Sequence, residues 1–209
     1  MNQREVHPAL GKLNTELGEF WLRNPWQRDD HNLSAFERNR ILLNGNRGRR
    51  LVDVSHLTNA DVDSDSRGVA VGDFTGDGMP DVIVRSVGGG PLRVLENLWP
   101  KSHWLCVSLR GSQSNSLGLG AKLKFQVGKL TLWRELYPVN SYLSQLPARV
   151  HVGLGRATQV DQLTVYWPSG AVQKLQRLPA DQHIKIHEGA NGWKPFTRKN
   201  TLGKGRSAD

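Results

Sequence analysis

Between His103 and His187 the sequence keeps one rhythm: an apolar-rich segment of four to eight residues, a short polar or glycine-bearing break, then another such segment. The segments fall at 104–109, 121–127, 130–136, 150–154, 160–167, 172–175 and 184–187. Strands of this length at regular spacing predict a β-sandwich or barrel, since none is long enough for a core helix. In 121–127, Lys122, Lys124 and Gln126 alternate with Leu123, Phe125 and Val127, so one face of that strand is wet and the other buried. Gly128-Lys129 and Pro168-Ser169-Gly170 supply the chemistry of tight hairpin turns.

The first half reads differently. Leu10, Leu13, Leu17, Phe20 and Trp21 recur at helical spacing, which predicts a short amphipathic helix within 1–35. Residues 36–54, FERNRILLNGNRGRRLVDV, place two apolar runs around a turn rich in Asn, Gly and Arg, a β-hairpin signature. Strand-like Val69-Ala70-Val71 and Val82-Ile83-Val84 then bracket the nonapeptide DFTGDGMPD at 73–81. The glycine triplet 88–90 opens a strand rather than a helix and reads as a turn, not a phosphate cradle.

The nonapeptide carries the clearest chemistry. Calcium takes 6–8 oxygen ligands, so a loop that binds it must return carboxylates and carbonyls to one point. Asp73, Thr75, Asp77, the Met79 carbonyl and Asp81 stand at alternate positions, and Gly78 occupies the sixth, where a sharp bend is needed. An EF-hand is a poor fit because Val84 stands at position 12, so Asp81 is expected to close the site. The second acidic run, 61–66, lacks the sixth-position glycine and reads as a solvated turn.

Charge is unevenly spread. Residues 61–97 carry 3 basic and 7 acidic side chains, whereas residues 98–189 carry 11 and 4. The basic half suits an anionic glycan or surface. No zinc-finger spacing, ribonucleoprotein motif or basic reading helix accompanies it, which argues against specific nucleic-acid recognition. No apolar run approaches the ~20 residues needed to span a bilayer. Cys106 lies in an apolar run and is expected to be buried. The seven histidines show no zinc spacing, and neither a nucleophile elbow nor a phosphate-binding loop is present, so no enzymatic activity is expected.

The anchors from 36 to 189 resemble proteins related to cartilage acidic protein 1, which join an FG-GAP-type calcium repeat to an ASPIC/UnbV domain. They run ERNR at 37–40, LLN at 42–44, VDV at 52–54, RGVAVGDFTGDGMPDVIV at 67–84, LEN at 95–97 and HWL at 103–105. Gly111 with Ser114-Asn115, GLGA at 118–121, SYLSQ at 141–145, VHVGLGRA at 150–157 and TVYWPSGAVQ at 164–173 complete the series. The resemblance implies a mainly β protein, with a partial β-propeller-like repeat over 36–99 and a β-sandwich-like domain over 100–189; residues 190–209, polar, basic and without period, read as a basic flexible tail. It departs from the family at Thr75 and Met79, where acidic residues are usual, and it contains a single repeat. The family is generally exported, although the start MNQREVHPALGKLN has no secretory-signal pattern.

The function implied is a non-catalytic, calcium-stabilised interaction or adhesion module of extracellular type, or a fragment of one. Two alternatives use the same residues: an anionic-polysaccharide-binding module, and a structural accessory domain of a larger propeller. Trp133, Tyr137, Tyr142 and Trp167, with Arg134 and Arg149, could form an aromatic and cationic surface for such a glycan or for a protein partner. For Trp133 and Trp167 taken singly, filling the sandwich core is the expected role.

Overall fold

A computed structural model describes residues 38–45, 49–62, 66–86, 92–139 and 144–197. The amphipathic helix expected within 1–35, and Tyr142, lie outside these. Among the described residues the protein is mainly β, with several sheets and none closed. The chain divides into two compact units, one drawn from Met1–Trp99 with Val139–Leu146, the other from Pro100–Pro138 with Pro147–Asp209.

In the first unit β1 (Leu42–Gly45) and β2 (Arg50–Asp53) form the expected antiparallel hairpin. It is followed by a 3-10 turn at Ser55–Leu57. Asp53 holds that turn by accepting from the Ser55 N–H and hydroxyl, and it pairs with Arg40 at 3.0 Å. Strands β3 (Ser66–Gly72), β4 (Asp81–Ser86) and β5 (Arg93–Leu95) make a separate three-stranded antiparallel sheet. The 73–80 segment is the β3–β4 connection. These strands form because β-branched residues suit a pleated surface.

The second unit is a two-sheet sandwich. One sheet has the order β11-β10-β7-β8, built from β7 (Lys122–Val127), β8 (Leu130–Glu135), β10 (Gln159–Tyr166) and β11 (Val172–Pro179), all antiparallel. The other has the order β13-β12-β6-β9, from β6 (His103–Arg110), β9 (Val150–Gly155), β12 (Gln182–His187) and β13 (Trp193–Pro195). Here β6 and β12 run parallel, although 71 residues separate the end of one from the start of the other. Leu105, Val107, Val152, Ile184 and Ile186 from one sheet meet Leu123, Phe125, Leu163, Val165 and Leu178 from the other in one continuous core. Inward residues alternate with outward ones along the strands, as stacked sheets require, except where β10 and β11 skip Asp161 and Arg177 and bring Val160 and Leu163, and Leu175 and Leu178, to the same core.

The segment after Gly189 corrects one expectation. It is read in the sequence as a flexible tail, yet Trp193–Pro195 adds a strand to the sheet edge, pairing with Ile184–Ile186. Half-buried Trp193 packs against the core and supplies the apolar contact that a purely polar tail would lack.

Candidate functional site

The 73–81 loop is a lattice of hydrogen bonds between its carboxylates and its own backbone. Asp73 accepts from the Gly76 N–H at 2.6 Å through Oδ1 and from the Gly78 N–H at 3.0 Å through Oδ2. Asp77 accepts from the Met79 N–H at 2.9 Å and the Thr75 hydroxyl at 3.2 Å. Asp81 is 1% exposed. Its Oδ2 accepts from the Phe74 and Thr75 N–H groups at 2.9 and 3.3 Å, and its Oδ1 from the Asn97 N–H at 2.9 Å. Burial by itself would raise the Asp81 pKa, but these donors outweigh it and leave the carboxyl below its ordinary value.

Thr75 therefore bridges Asp77 and Asp81, while Asp73 anchors the two glycines. Gly76 and Gly78 sit at φ of 81° and 88°, which only glycine adopts freely, and this lets their N–H groups point back at Asp73. Each carboxylate oxygen has two acceptor sites. Asp73 spends one of these per oxygen on the loop, whereas Asp81 Oδ2 is already doubly engaged. Among the described residues no three His, Cys, Asp or Glu side chains gather as a metal-holding group.

A second buried carboxylate, which sequence reasoning overlooks, closes the β6–β7 connection. Glu188 is 9% exposed. Its Oε2 accepts three consecutive backbone N–H groups, Ser112, Gln113 and Ser114, each at 2.8 Å. Its Oε1 takes the hydroxyls of Ser114 and Ser169. Burial pushes its pKa up, yet this cage overrides that and brings it down to about 2. Glycines permit the cage. A Cβ on Gly111 would overlap the Ser114 and Asn115 carbonyls, and one on Gly118, at φ 66°, would stand 2.8 Å from Leu109 Cβ.

The aromatic residues separate. Trp167 is core, 4% exposed, its indole N–H donating to Gln173 at 2.9 Å. Trp133 is not core. It is 50% exposed on the outer face of the β7-β8-β10-β11 sheet, stacked on Tyr166 with ring centroids 5.7 Å apart. Lys124 Nζ lies 5.7 Å from the Trp133 ring centre, within cation–π range. Tyr137 and Arg134 are exposed, and Arg149 is half-buried beside His183. Tyr166 and Lys124 are thus the partners that the sequence reading does not assign to Trp133.

The outer face of the other sheet is closed over its polar groups. Trp104 stacks on His151 and Phe196 on His183, with Cys106 buried in the same sheet. Ser108 Oγ lies 2.8 Å from His183 Nε2, the separation of a nucleophile and its base. Burial, with the positive charges of Arg149, Lys185 and His151, pulls the His183 pKa down to about 4, so its imidazole is a weak base. His103 and Asp181 pair at 2.6 Å on the surface.

The second unit is thus a two-sheet β-sandwich with one closed and one open face. Residues 111–192, which contain β7 to β12 and the Glu188 cage, match the family model described as ASPIC and UnbV. No curated protein matches the chain.

Proposed function

We propose that this chain is a non-catalytic interaction module that works outside the cell, with the sandwich as the ligand-facing part and the 73–81 loop as a structural strut. The observation that carries the reading is the open sheet face on which Trp133 and Tyr166 stack beside Lys124. Large aromatic rings left in water on a regular sheet mark an interaction surface, and adjacent lysines favour an anionic partner. The buried Ser108 and the weakly basic His183 make a poor nucleophile pair. Among the described residues no helix is long and apolar enough to cross a membrane.

Calcium enters this proposal as a stiffener. Asp73, Thr75, Asp77 and the Met79 carbonyl are the oxygens offered, while Asp81 acts as the buried acceptor that holds the loop in register. Because the same carboxylates already anchor backbone N–H groups, binding is expected to be weak. The deciding experiment passes the full chain over neutral, carboxylated and sulfated glycans at about 0.15 M salt, where the screening length is ~8 Å. Retention on acidic glycans is expected; retention on none of them rejects the glycan as partner.

A second reading, an accessory element of a larger propeller, rests on the three-stranded sheet. Val69 and Val71 on one face and Val94 on the other are each more than 40% exposed. A propeller blade leaves both faces unburied until neighbours stack on it. Light scattering of the full chain tests this, since an isolated blade of that kind drives self-association that a finished surface does not.

A further inference from the structure

Resting on the binding-module reading, we infer that the outer face of the β7-β8-β10-β11 sheet seats a linear acidic polysaccharide, with uronate carboxylates on its lysines and a sugar ring on the Trp133–Tyr166 platform. The register places the groups. Lys124 on β7 faces Trp133 on one side and Thr164 on the other, and Thr164 in turn faces Lys174 on β11. These four residues form one row across all four strands of the sheet. Tyr166 sits in the neighbouring row, between Lys122 and Val172, and its ring reaches across β7 to stack on Trp133.

The chemistry follows from this row. A pyranose has an apolar face of C–H groups that packs on an aromatic ring, and the electron-rich ring face favours those positive hydrogens. Lys122 is already paired with Glu135 at 3.4 Å. Lys124 and Lys174 are the cations that flank the Thr164 position. Being two strand spacings apart, they stand roughly 10 Å from one another on a ~4.8 Å inter-strand distance. That interval exceeds one sugar and suits a disaccharide step, as in an extended uronate chain whose carboxylates reach the same side at every second residue. Gln126, on the same face, offers its amide to hydroxyl groups, while its neighbour Gln162 donates its own to Thr164 at 3.3 Å.

The opposite face of the sandwich lacks these properties. Its rings are spent on covering His151 and His183, and its small polar groups are buried. The charge pattern also disfavours a purely ionic seat. The cations of this row are lysines rather than arginines, so binding depends on ring packing as well as on point charges.

The test uses the full chain and an oligogalacturonate hexamer, by calorimetry and by the Trp133 indole N–H resonance. Wild type is expected to bind and to shift that resonance, and Trp133→Ala to lose at least tenfold in affinity with an unchanged melting temperature. Lys124→Gln and Lys174→Gln should each weaken binding several-fold and flatten its salt dependence. Hexamer binding that survives Trp133→Ala rejects this site while leaving the module reading intact. Wild type that binds dextran sulfate, which has no carboxylate, or a protein but no uronate oligosaccharide rejects the ligand class, and dextran sulfate binding as tight as the hexamer's and indifferent to Trp133 rejects the site as simple ion exchange. If Trp133→Ala does not fold, Trp133→Phe with the indole signal of the wild type decides the same question.

Discussion

The β3–β4 loop and the β6–β7 loop are each closed by one buried carboxylate, but the two carboxylates come from different places. Asp81 reaches back six or seven residues to the Thr75 and Phe74 N–H groups. Glu188 reaches across 74 to 76 residues to Ser114, Gln113 and Ser112. The first loop is a local device and its acid is visible beside the residues it serves. The second is a tertiary device, and it joins the end of β12 to the connection that follows β6. Local closure fixes a turn; distant closure fixes the packing of a whole domain.

Glu188→Gln is therefore expected to produce the largest effect. It leaves one N–H cage facing an amide, and the melting temperature of the sandwich should fall by roughly 10 °C. Amide exchange at Ser112, Gln113 and Ser114 should lose its protection in the same variant. An unchanged melting curve would erase the distinction between the two loops.

Acid titration sharpens the contrast next. The folded Glu188 carboxyl lies at about 2 against an ordinary value of 4.5, so the unfolded chain binds the proton first as pH falls. Its stabilisation is complete above pH 4.5 and is lost progressively towards pH 2. Asp81 is also lowered and acts in the same direction below its ordinary 3.8. Unfolding of the sandwich that is flat across this window would contradict the cage.

Asp81→Asn is expected to have a smaller, local effect: faster exchange at Phe74, Thr75 and Asn97, with the sandwich transition unmoved. Asp77→Ala is the mildest. It removes the acceptor of the Met79 N–H and of the Thr75 hydroxyl and should leave the sandwich transition unmoved, while abolishing the heat of calcium binding expected in the wild type. Equal heats in both proteins would remove calcium from the loop.

What could be read in the sequence follows the same division between near and far. The hairpin of β1 and β2, the strands around the 73–81 loop and the cadence of β6 to β12 depend on alternation and turn residues, and they are legible. Trp133 was legible in principle. A two-residue turn at Gly128-Lys129 pairs Val127 with Leu130, which brings Trp133 opposite Lys124 on the wet face. Its aromatic character suggested core, and parity outweighs that character. Trp167 shows the converse, since it is buried as expected. The stacking of Tyr166 on Trp133 required the order of β10 beside β7, which no local pattern encodes. Glu188 was hidden for the same reason: a carboxylate after an apolar strand reads as an exposed strand end until its distant donors are placed. The Trp193–Pro195 strand depended on an edge left open by β12, again a property of the assembled sheet.

The parallel pairing of β6 with β12 also dictates when this domain can be finished on the ribosome. By the time Pro179 has emerged, the β7-β8-β10-β11 sheet has all its strands, while β6 has only β9 beside it and presents a bare edge. Pairings between distant segments form late and expose sticky edges in the meantime. Nascent chains ending before Gln182 thus lack Ile184 and Ile186 and leave the β6 edge and the core beneath it uncovered, and they are the species on which chaperones and proteases would act. Arrival of β12 covers that edge, and Glu188, one residue beyond it, sets the latch.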